Sequence, residues 1–350
     1  MRTAVAFSGG ADSLFALLAL RQAGHDVLAL HARFLDPDPT TAELSERVHR
    51  CCQAVGVDLE IVDLQQQFAE TVIRPFVQQY AQGLTPNPCA LCNPRIKFGL
   101  LRDSARQLGC DGFATGHYVQ LRHTPQGPLL CRGSDPRKEQ SYFLSLVPQS
   151  ALDAVVFPLG SWQKSAIQKT LRQQGYTVPE SRESQEVCFI PGDDYRSFLQ
   201  HKDAPLSGPG PIVDRYGTHL GHHNGLWRYT LGQRRGLGIA YSEPLYVIAK
   251  EIDANRLVVG TRAERQASGC VVSDLNAFLP LAQWPEDLWV QTNYRQQPVP
   301  CRIRAMDATN LAVDFLKPKG PAAPGQVAAF YKATGCVLGG GIIHDNERTA

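Results

Sequence analysis

A chain of 350 residues with 43% hydrophobic and 19% charged residues is long enough for two or three domains, and it has no apolar run of about eighteen residues that would span a membrane. A formal net charge of +2 gives no global electrostatic case for nucleic acid, although it leaves room for local basic patches. Ten cysteines spread along the chain, with Cys51 and Cys52 adjacent inside a helical pattern, do not read as a secreted disulfide framework. The opening "MRTAVAFSGG" enters a strand and a glycine turn with no apolar leader, so a cytoplasmic protein is expected.

In chain order, "TAVAF" (3–7), "DVLALHA" (26–32), "DLEIVDL" (58–64) and "GFATG" (112–116) read as strands. Between them "ADSLFALLALRQAG", "TAELSERVHRCCQAVG" and "AETVIRPFVQQYAQG" read as helices. Alternation of this kind predicts an α/β domain with a doubly wound parallel sheet, Rossmann-like, whose loops gather along one edge. Near residue 205 "APLSGPGPIVD" ends the helical periodicity and marks a boundary. Short strand-like runs follow: "PIVD", "LWRYT", "PLYVIAKEI", "RLVVG", "CVVSDLN", "LWVQTNY", "CRIRAMD", "LAVDFL", "QVAAFYK" and "CVLGGGII". The expected division is 1–204 for the nucleotide-binding and catalytic domain, 205–272 for a small mostly β domain, and 273–350 for a β-barrel.

The first loop, "SGGADS", joins the first strand to the first helix. Its glycines permit a tight turn and close approach of an anion, and the helix start, with the hydroxyls of Ser8 and Ser13, offers donors to phosphate oxygens. It lacks the Gly-Lys-Ser/Thr ending of a Walker A loop and the third glycine of the dinucleotide fingerprint. It resembles the PP-loop of the ATP pyrophosphatases, which cleave ATP to AMP and pyrophosphate. Asp12 in such a loop suits a Mg²⁺ or water-mediated contact better than a direct contact to phosphate.

"TPNPCALCNPRIKF" places Cys89 and Cys92 three apart before a basic helix start. A closed zinc site needs a second ligand pair, and the adjacent His222 and His223 in a later glycine-rich loop do not supply one. Cys188, in "SRESQEVCFIPGDDYRSF", is the third thiol of interest. Together the three suit sulfur transfer, with Arg95 and Lys97 favouring a thiolate, or an iron–sulfur cluster with one open position. Cys51, Cys52, Cys110, Cys131, Cys270, Cys301 and Cys336 read as small buried hydrophobes. Arg228, Arg234 and Arg235, beside Trp227 and Tyr229 in "WRYTLGQRRGLGIA", suit RNA backbone contact and base stacking.

Eight ordered blocks, "SGGADS", "TPNPCALCNPRIKF", "ATGHYVQL", "KEQSYFL", "FPLG", "SQEVCFIPGDDYRSFL", "YTLGQRRGLGI" and "PLYVIAKEIDANRLVVG", resemble the bacterial tRNA-specific 2-thiouridylases over nearly the whole chain. The resemblance implies thiolation of C2 of a wobble uridine, by adenylation of its oxygen and sulfur transfer from a cysteine persulfide. Cys92 matches the nucleophile and Cys188 the persulfide carrier. Cys89 stands where many members have an aspartate with an acid–base role. Ala6, Phe7, Ser8, Gly9, Gly10, Ala11, Asp12, Ser13, Ala32 and Gly116 match ATP-binding positions. "HARFLDP" departs from the family's usual Met, Lys, Asn, Trp run beside the adenine. Asn87, Pro88 and Cys89 match the loop that touches the target base. His117, Lys138, Glu139, Gln140, Tyr294, Arg295 and Gln326 match tRNA contacts. The implied partners are tRNA and a persulfide-donating carrier or cysteine desulfurase, with ATP and Mg²⁺ required and no membrane; a monomer is expected. The alternatives are the cluster on Cys89, Cys92 and Cys188, and a PP-loop synthetase that uses an amine nucleophile.

Overall fold

The computed structural model describes residues 1–176, 187–190, 192, 194–202, 204–307 and 309–348. Residues 184–186 of the "SQEVCFIPGDDYRSFL" block, with 191 and 193, lie outside them.

The expected alternation is present from the start: β1 (Arg2–Ala6), α1 (Ala11–Gln22), β2 (Asp26–Arg33), α2 (Pro39–Val55) and β3 (Asp58–Asp63). The centres of β1 and β2 are buried on both faces, as parallel strands covered by helices are. Asp38 caps α2 through the Thr41 N–H at 2.7 Å, Pro39 supplies the pre-set first turn, and Gly56 closes the helix at φ +65°. After α3 (Gln65–Phe68) and α4 (Arg74–Ala81) come the short α5 (Pro88–Cys92), α6 (Arg102–Gln107) and β4 (Gly112–Ala114). A hairpin of β5 (Val119–Thr124) and β6 (Gly127–Arg132) precedes α7 (Ser141–Leu144), β7 (Val155–Val156), α8 (Lys164–Gln173) and α9 (Tyr195–Gln200). The five-stranded sheet has the order β3-β2-β1-β4-β7 with every pair parallel. The chain runs outward from β1 on one side, then returns to build the other side from β4. Ligands of open parallel sheets bind at this switch point, beyond the carboxyl ends of β1 and β4.

A second sheet contains β8 (Gly210–Val213), β9 (His219–His223), β10 (Tyr246–Glu251) and β11 (Arg256–Gly260), in the order β10-β11-β8-β9. Its β8–β11 pair is parallel and the others antiparallel, a small mixed sheet. Two expectations change here. "LWRYT" is not a strand: after Gly225 at φ +110° the chain turns, and Leu226–Arg228 form a 3₁₀ turn with Leu226 and Trp227 buried. His222 and His223 sit in β9 rather than a loop. The His223 ring is buried, with Nε2 on the Asn255 carbonyl at 3.0 Å and Nδ1 accepting the Gly225 N–H at 3.0 Å.

The C-terminal barrel closes through β12 (Ala267–Ala277), β13 (Leu288–Gln291), β14 (Val299–Ala305), β15 (Leu311–Lys319), β16 (Val327–Lys332) and β17 (Val337–Arg348). Its order is β12-β15-β14-β13-β16-β17, antiparallel throughout. One continuous apolar core runs from Leu28, Phe68 and Phe113 into Phe330, Tyr331 and Ile343 of the barrel. Among the described residues no helix is long and apolar enough to cross a membrane.

Cys131 and Cys336 are joined as a disulfide, which corrects their reading as free buried thiols. They are 205 residues apart in sequence, and the contact between β6 and the β16–β17 turn brings them together. The Arg132 N–H donates to the Gly335 carbonyl at 3.1 Å, and the Arg132 guanidinium lies 4.3 Å from the Tyr331 ring centre. The barrel also receives Ser145 and Val147, whose carbonyls accept from Asn276 Nδ2 at 2.9 and 3.0 Å.

Candidate active site

β1 delivers Ala6 and Phe7 to the carboxyl edge of the sheet. The Phe7 N–H donates to the Leu30 carbonyl at 2.9 Å, and the Phe7 carbonyl lies 2.8 Å from His31 Nδ1. Burial holds the His31 pKa below its ordinary value, so a neutral ring donates to that carbonyl. Gly9 follows at φ +72°, where a β-carbon would stand 2.9 Å from Val48 Cγ2. Gly10 enters α1 without a side-chain cap, leaving the first N–H groups of the helix for an anion. Ser13 departs from expectation: its buried hydroxyl donates to the Gly10 carbonyl at 2.9 Å and accepts the Ser8 N–H at 3.2 Å. It shapes the loop, and the exposed hydroxyl is that of Ser8.

Gly116, just past β4, lies against the start of α1. A β-carbon there would meet the Asp12 carbonyl carbon at 3.0 Å and Ser13 N at 3.1 Å, so glycine permits the two halves of the crevice to touch. Ala11 is buried and Ala32 half-buried at the neighbouring strand end. Asp12 Oδ1 accepts from Lys164 Nζ at 2.6 Å and from Tyr118 Oη at 2.6 Å. Lys164 opens α8, fixed by its own N–H on Asp135 Oδ2 at 2.9 Å. The loop thus carries one carboxylate, with Oδ2 clear of both contacts. A carboxylate oxygen of this kind could hold a divalent cation, which would offset phosphate charge.

Asn87 caps α5 by accepting the Ala90 N–H at 3.2 Å, and Pro88 fills the first helical position. Beyond Cys92, Pro94 lacks an N–H and Gly99 leaves helical dihedrals at φ −99°, ψ −106°, so the ladder widens into a π-type turn over Asn93–Leu101. Cys89 is half-buried and Cys92 buried, while Cys188 is exposed at its surface; all three are free thiols. Phe189 anchors Cys188 by packing edge-on against Phe68 and Phe76. Burial pushes the Cys89 thiol up to about 11 and Cys92 to about 12. Cys188 is raised too, because the protein crowds its sulfur even though the residue can be reached from solvent. The Lys97 ammonium pulls all three toward thiolate and loses to desolvation, which corrects the expectation of lowered thiol pKa values. The field of Cys188 acts on both Cys89 and Cys92, which places the three sulfurs in one neighbourhood. Among the described residues no group of three or more His, Cys, Asp or Glu is arranged to hold a metal ion.

The residues matched to tRNA contacts fall into two groups. Tyr294, on the barrel, packs 4.4 Å from the Phe143 ring and lies in the field of Cys89, with burial raising its hydroxyl. Asn87 hydrogen-bonds Tyr142, whose hydroxyl donates to the Val327 carbonyl at 3.1 Å and lies 3.4 Å from Gln326 Oε1. Arg295, next in sequence to Tyr294, is exposed, and Lys138 is half-buried. The other group is turned inward. The His117 ring is buried against Phe98 and Phe157 with Nδ1 2.7 Å from Thr115 Oγ1, and desolvation holds it neutral. Glu139 is buried beside Arg132 at 3.7 Å, with burial raising its carboxyl, and Gln140 Oε1 accepts the Tyr118 N–H at 3.0 Å.

Family profiles match the chain end to end: a tRNA methyl transferase HUP domain over 1–192, a tRNA methyl transferase PRC-barrel domain over 196–261, and an aminomethyltransferase β-barrel domain over 267–343. A curated tRNA-specific 2-thiouridylase MnmA from Nitratidesulfovibrio vulgaris (Miyazaki F) is 52% identical over 98% of this chain and 99% of its own length. Those of Oleidesulfovibrio alaskensis and Lawsonia intracellularis are 52% and 47% identical over the same shares of each chain. The chain belongs to the tRNA-specific 2-thiouridylase family. It is therefore an enzyme of the sulfurtransferase class, and the methyl transfer in the profile descriptions is absent from the names of these relatives.

Against the residues expected of a 2-thiouridylase, the structure adds Lys164, Tyr118, His31 and Tyr142. Lys164 follows the quoted "FPLG" block by a few residues and is the first residue of a helix, a position from which a cation can reach the phosphate crevice. The other three lie inside quoted stretches, Tyr118 in "ATGHYVQL", Tyr142 in "KEQSYFL" and His31 in "HARFLDP", but their partners are distant in sequence, so the stretches did not reveal their roles.

Proposed function

We propose that this chain carries out the 2-thiouridylase reaction at the junction of the β1–α1 loop and the thiols, on a tRNA wobble uridine. The observation that carries the site assignment is that Tyr294 of the barrel packs 4.4 Å from Phe143, whose carbonyl accepts from Asn93 Nδ2, next to Cys92, at 2.9 Å. Uracil O2 attacks the α-phosphorus of ATP, and pyrophosphate leaves from the N–H groups at the start of α1. Mg²⁺ on Asp12 would offset phosphate charge. AMP is then the leaving group at C2. The terminal sulfur of a Cys188 persulfide bonds to C2 as AMP departs, and the Cys92 thiolate attacks the Cys188 sulfur. This leaves 2-thiouridine and a Cys92–Cys188 disulfide, which an external thiol reduces. In the equivalent order Cys92 first releases hydrosulfide, which attacks C2. Because burial keeps Cys92 protonated at rest, activation requires that its proton be taken as substrate enters, and Cys89, on the same short helix, is the candidate to relay it.

Residues 1–204, 205–272 and 273–350 are proposed as the catalytic, central and tRNA-contacting domains, with the last boundary moved back to 267 because β12 (Ala267–Ala277) belongs to the barrel. The sulfur source is a persulfide carrier or cysteine desulfurase, and the working unit is a cytoplasmic monomer. The test is incubation with ATP, Mg²⁺, a persulfide donor (a cysteine desulfurase with cysteine) and unmodified tRNA, followed by nucleoside mass analysis. Cys92→Ser and Cys188→Ser are expected to lower 2-thiouridine by more than about 10³-fold. Product surviving in both would remove these thiols from catalysis. AMP formation without thiolated nucleoside would favour an amine nucleophile, and visible absorption after anaerobic purification would favour the cluster.

A further inference from the structure

The loop that leads into α5, residues 82–87, begins on its own helix and then leaves its own domain for support. Gln82, Gly83 and Leu84 donate to the carbonyls of Gln78, Tyr80 and Gln79 at 2.9–3.0 Å, the usual closure of α4. Past that point the partners are foreign. The Thr85 N–H donates to the Pro324 carbonyl at 2.9 Å, and Gln326 Nε2 donates to the Thr85 and Pro86 carbonyls at 2.9 and 3.1 Å, all from the barrel. From the central sheet, Thr230 Oγ1 meets Thr85 Oγ1 at 3.4 Å, and Lys250 Nζ donates to the Gly83 carbonyl at 2.8 Å.

Lys250 is the least ordinary of these. Its ammonium is buried at the meeting of three domains, beside a cavity of about 240 Å³ lined by Leu84, Ile248, Pro324, His344 and Asp345. Burial pulls its pKa down to about 7, and the Gly83 carbonyl is the hydrogen-bond partner of its amine. A buried amine is costly to keep unless it does something that an apolar side chain cannot. Gly83 itself is fixed at φ +75°, with the position of a β-carbon blocked by Ile252 Cδ1 of the central domain.

We propose that Lys250 is a positioning residue for sulfur transfer: through the Gly83 carbonyl it holds, from the central domain, the loop that places Asn87 and Cys92. The proposal rests on the reading of Cys92 as nucleophile. Loss of the hydrogen bond frees the loop start, and misplacement of about 1 Å at a reacting group costs on the order of 10²-fold in rate. The reacting groups stay intact, so the defect falls on the chemical step and not on tRNA capture.

The test compares wild type, Lys250→Met and Cys92→Ser in single-turnover 2-thiouridine formation, with tRNA affinity by filter binding and melting temperature measured alongside. Lys250→Met is expected to slow product formation by at least about tenfold, with tRNA affinity within about threefold and no loss of melting temperature at pH 7. Thr230→Val, which removes the neighbouring contact, is expected to slow it less. A wild-type rate in a folded Lys250→Met protein overturns the proposal, as does loss of rate and tRNA affinity in equal measure. Product made by Cys92→Ser instead overturns the nucleophile reading, whatever Lys250→Met does.

Discussion

The nucleotide loop, residues 6–13, takes its backbone shape from one strand end, one turn and one helix start, with Ser13 bonded to Gly10 and Ser8 inside the loop, while its carboxylate, Asp12, is held from outside by Tyr118 and Lys164. The thiol site is the reverse: Asn87 leans on Tyr142, Cys188 is anchored through Phe189, and the loop before Cys92 hangs on Pro324, Gln326 and Lys250. The first is open at the sheet edge where a free anion can dock; the second buries Cys92 and holds it protonated at rest. A site built for a diffusible substrate can be local, whereas a site that must exclude water from an activated base needs walls from several domains.

The contrast can be broken at either end. If Cys92 is as buried as described, its carboxamidomethylation, followed by peptide mass spectrometry, climbs about a hundredfold between pH 7.5 and 9.5 without levelling; an ordinary exposed thiol levels near its pKa. Levelling below pH 9 would mean an open, activated thiol. At the nucleotide loop, Gly116→Ala forces a β-carbon onto Asp12 and Ser13, and ATP affinity by equilibrium dialysis is expected to fall about 30-fold, equivalent to about 2 kcal/mol of overpacking. Lys164→Met removes a single charge-assisted contact to Asp12 and is expected to weaken ATP about tenfold in the same assay.

The last effect belongs to the domain junction and is read on stability, not on binding. The Lys250 amine titrates near its ordinary 10.5 when unfolded and about 7 when folded, so the unfolded state binds more protons between these values. Stability therefore rises with pH through that window, by roughly 1 kcal/mol per unit from this group alone. Lys250→Met should melt above wild type at pH 7 and lose that advantage toward pH 10, with His344 and Asp345, which share the cavity, left in place. A pH-independent difference would place the charge elsewhere.

The local character of the first site is also why it was legible. "SGGADS" after an apolar strand dictates the turn, and the parallel sheet follows from periodicity alone, as β1, β2 and β3 bear out. Cysteine type and spacing pointed to α5, yet the direction of the thiol pKa values did not follow, because Lys97 is visible in sequence and the packing that outweighs it is not. "LWRYT" misled for a similar reason: β-branched and aromatic composition suggests a strand, while the burial of two neighbouring side chains is decided by the surrounding sheet. Asp12 read correctly as the carboxylate of the loop, but its counter-ion came from a helix 152 residues further on.

The bond between Cys131 and Cys336 makes the polypeptide a closed ring with two tails, and the whole central sheet lies inside that ring. A protease that cuts once between those two residues opens the ring without separating anything. The nicked chain would run as one species on a denaturing gel and part into two only after a reductant is added, so the same molecule looks intact or cleaved according to the redox state of its surroundings.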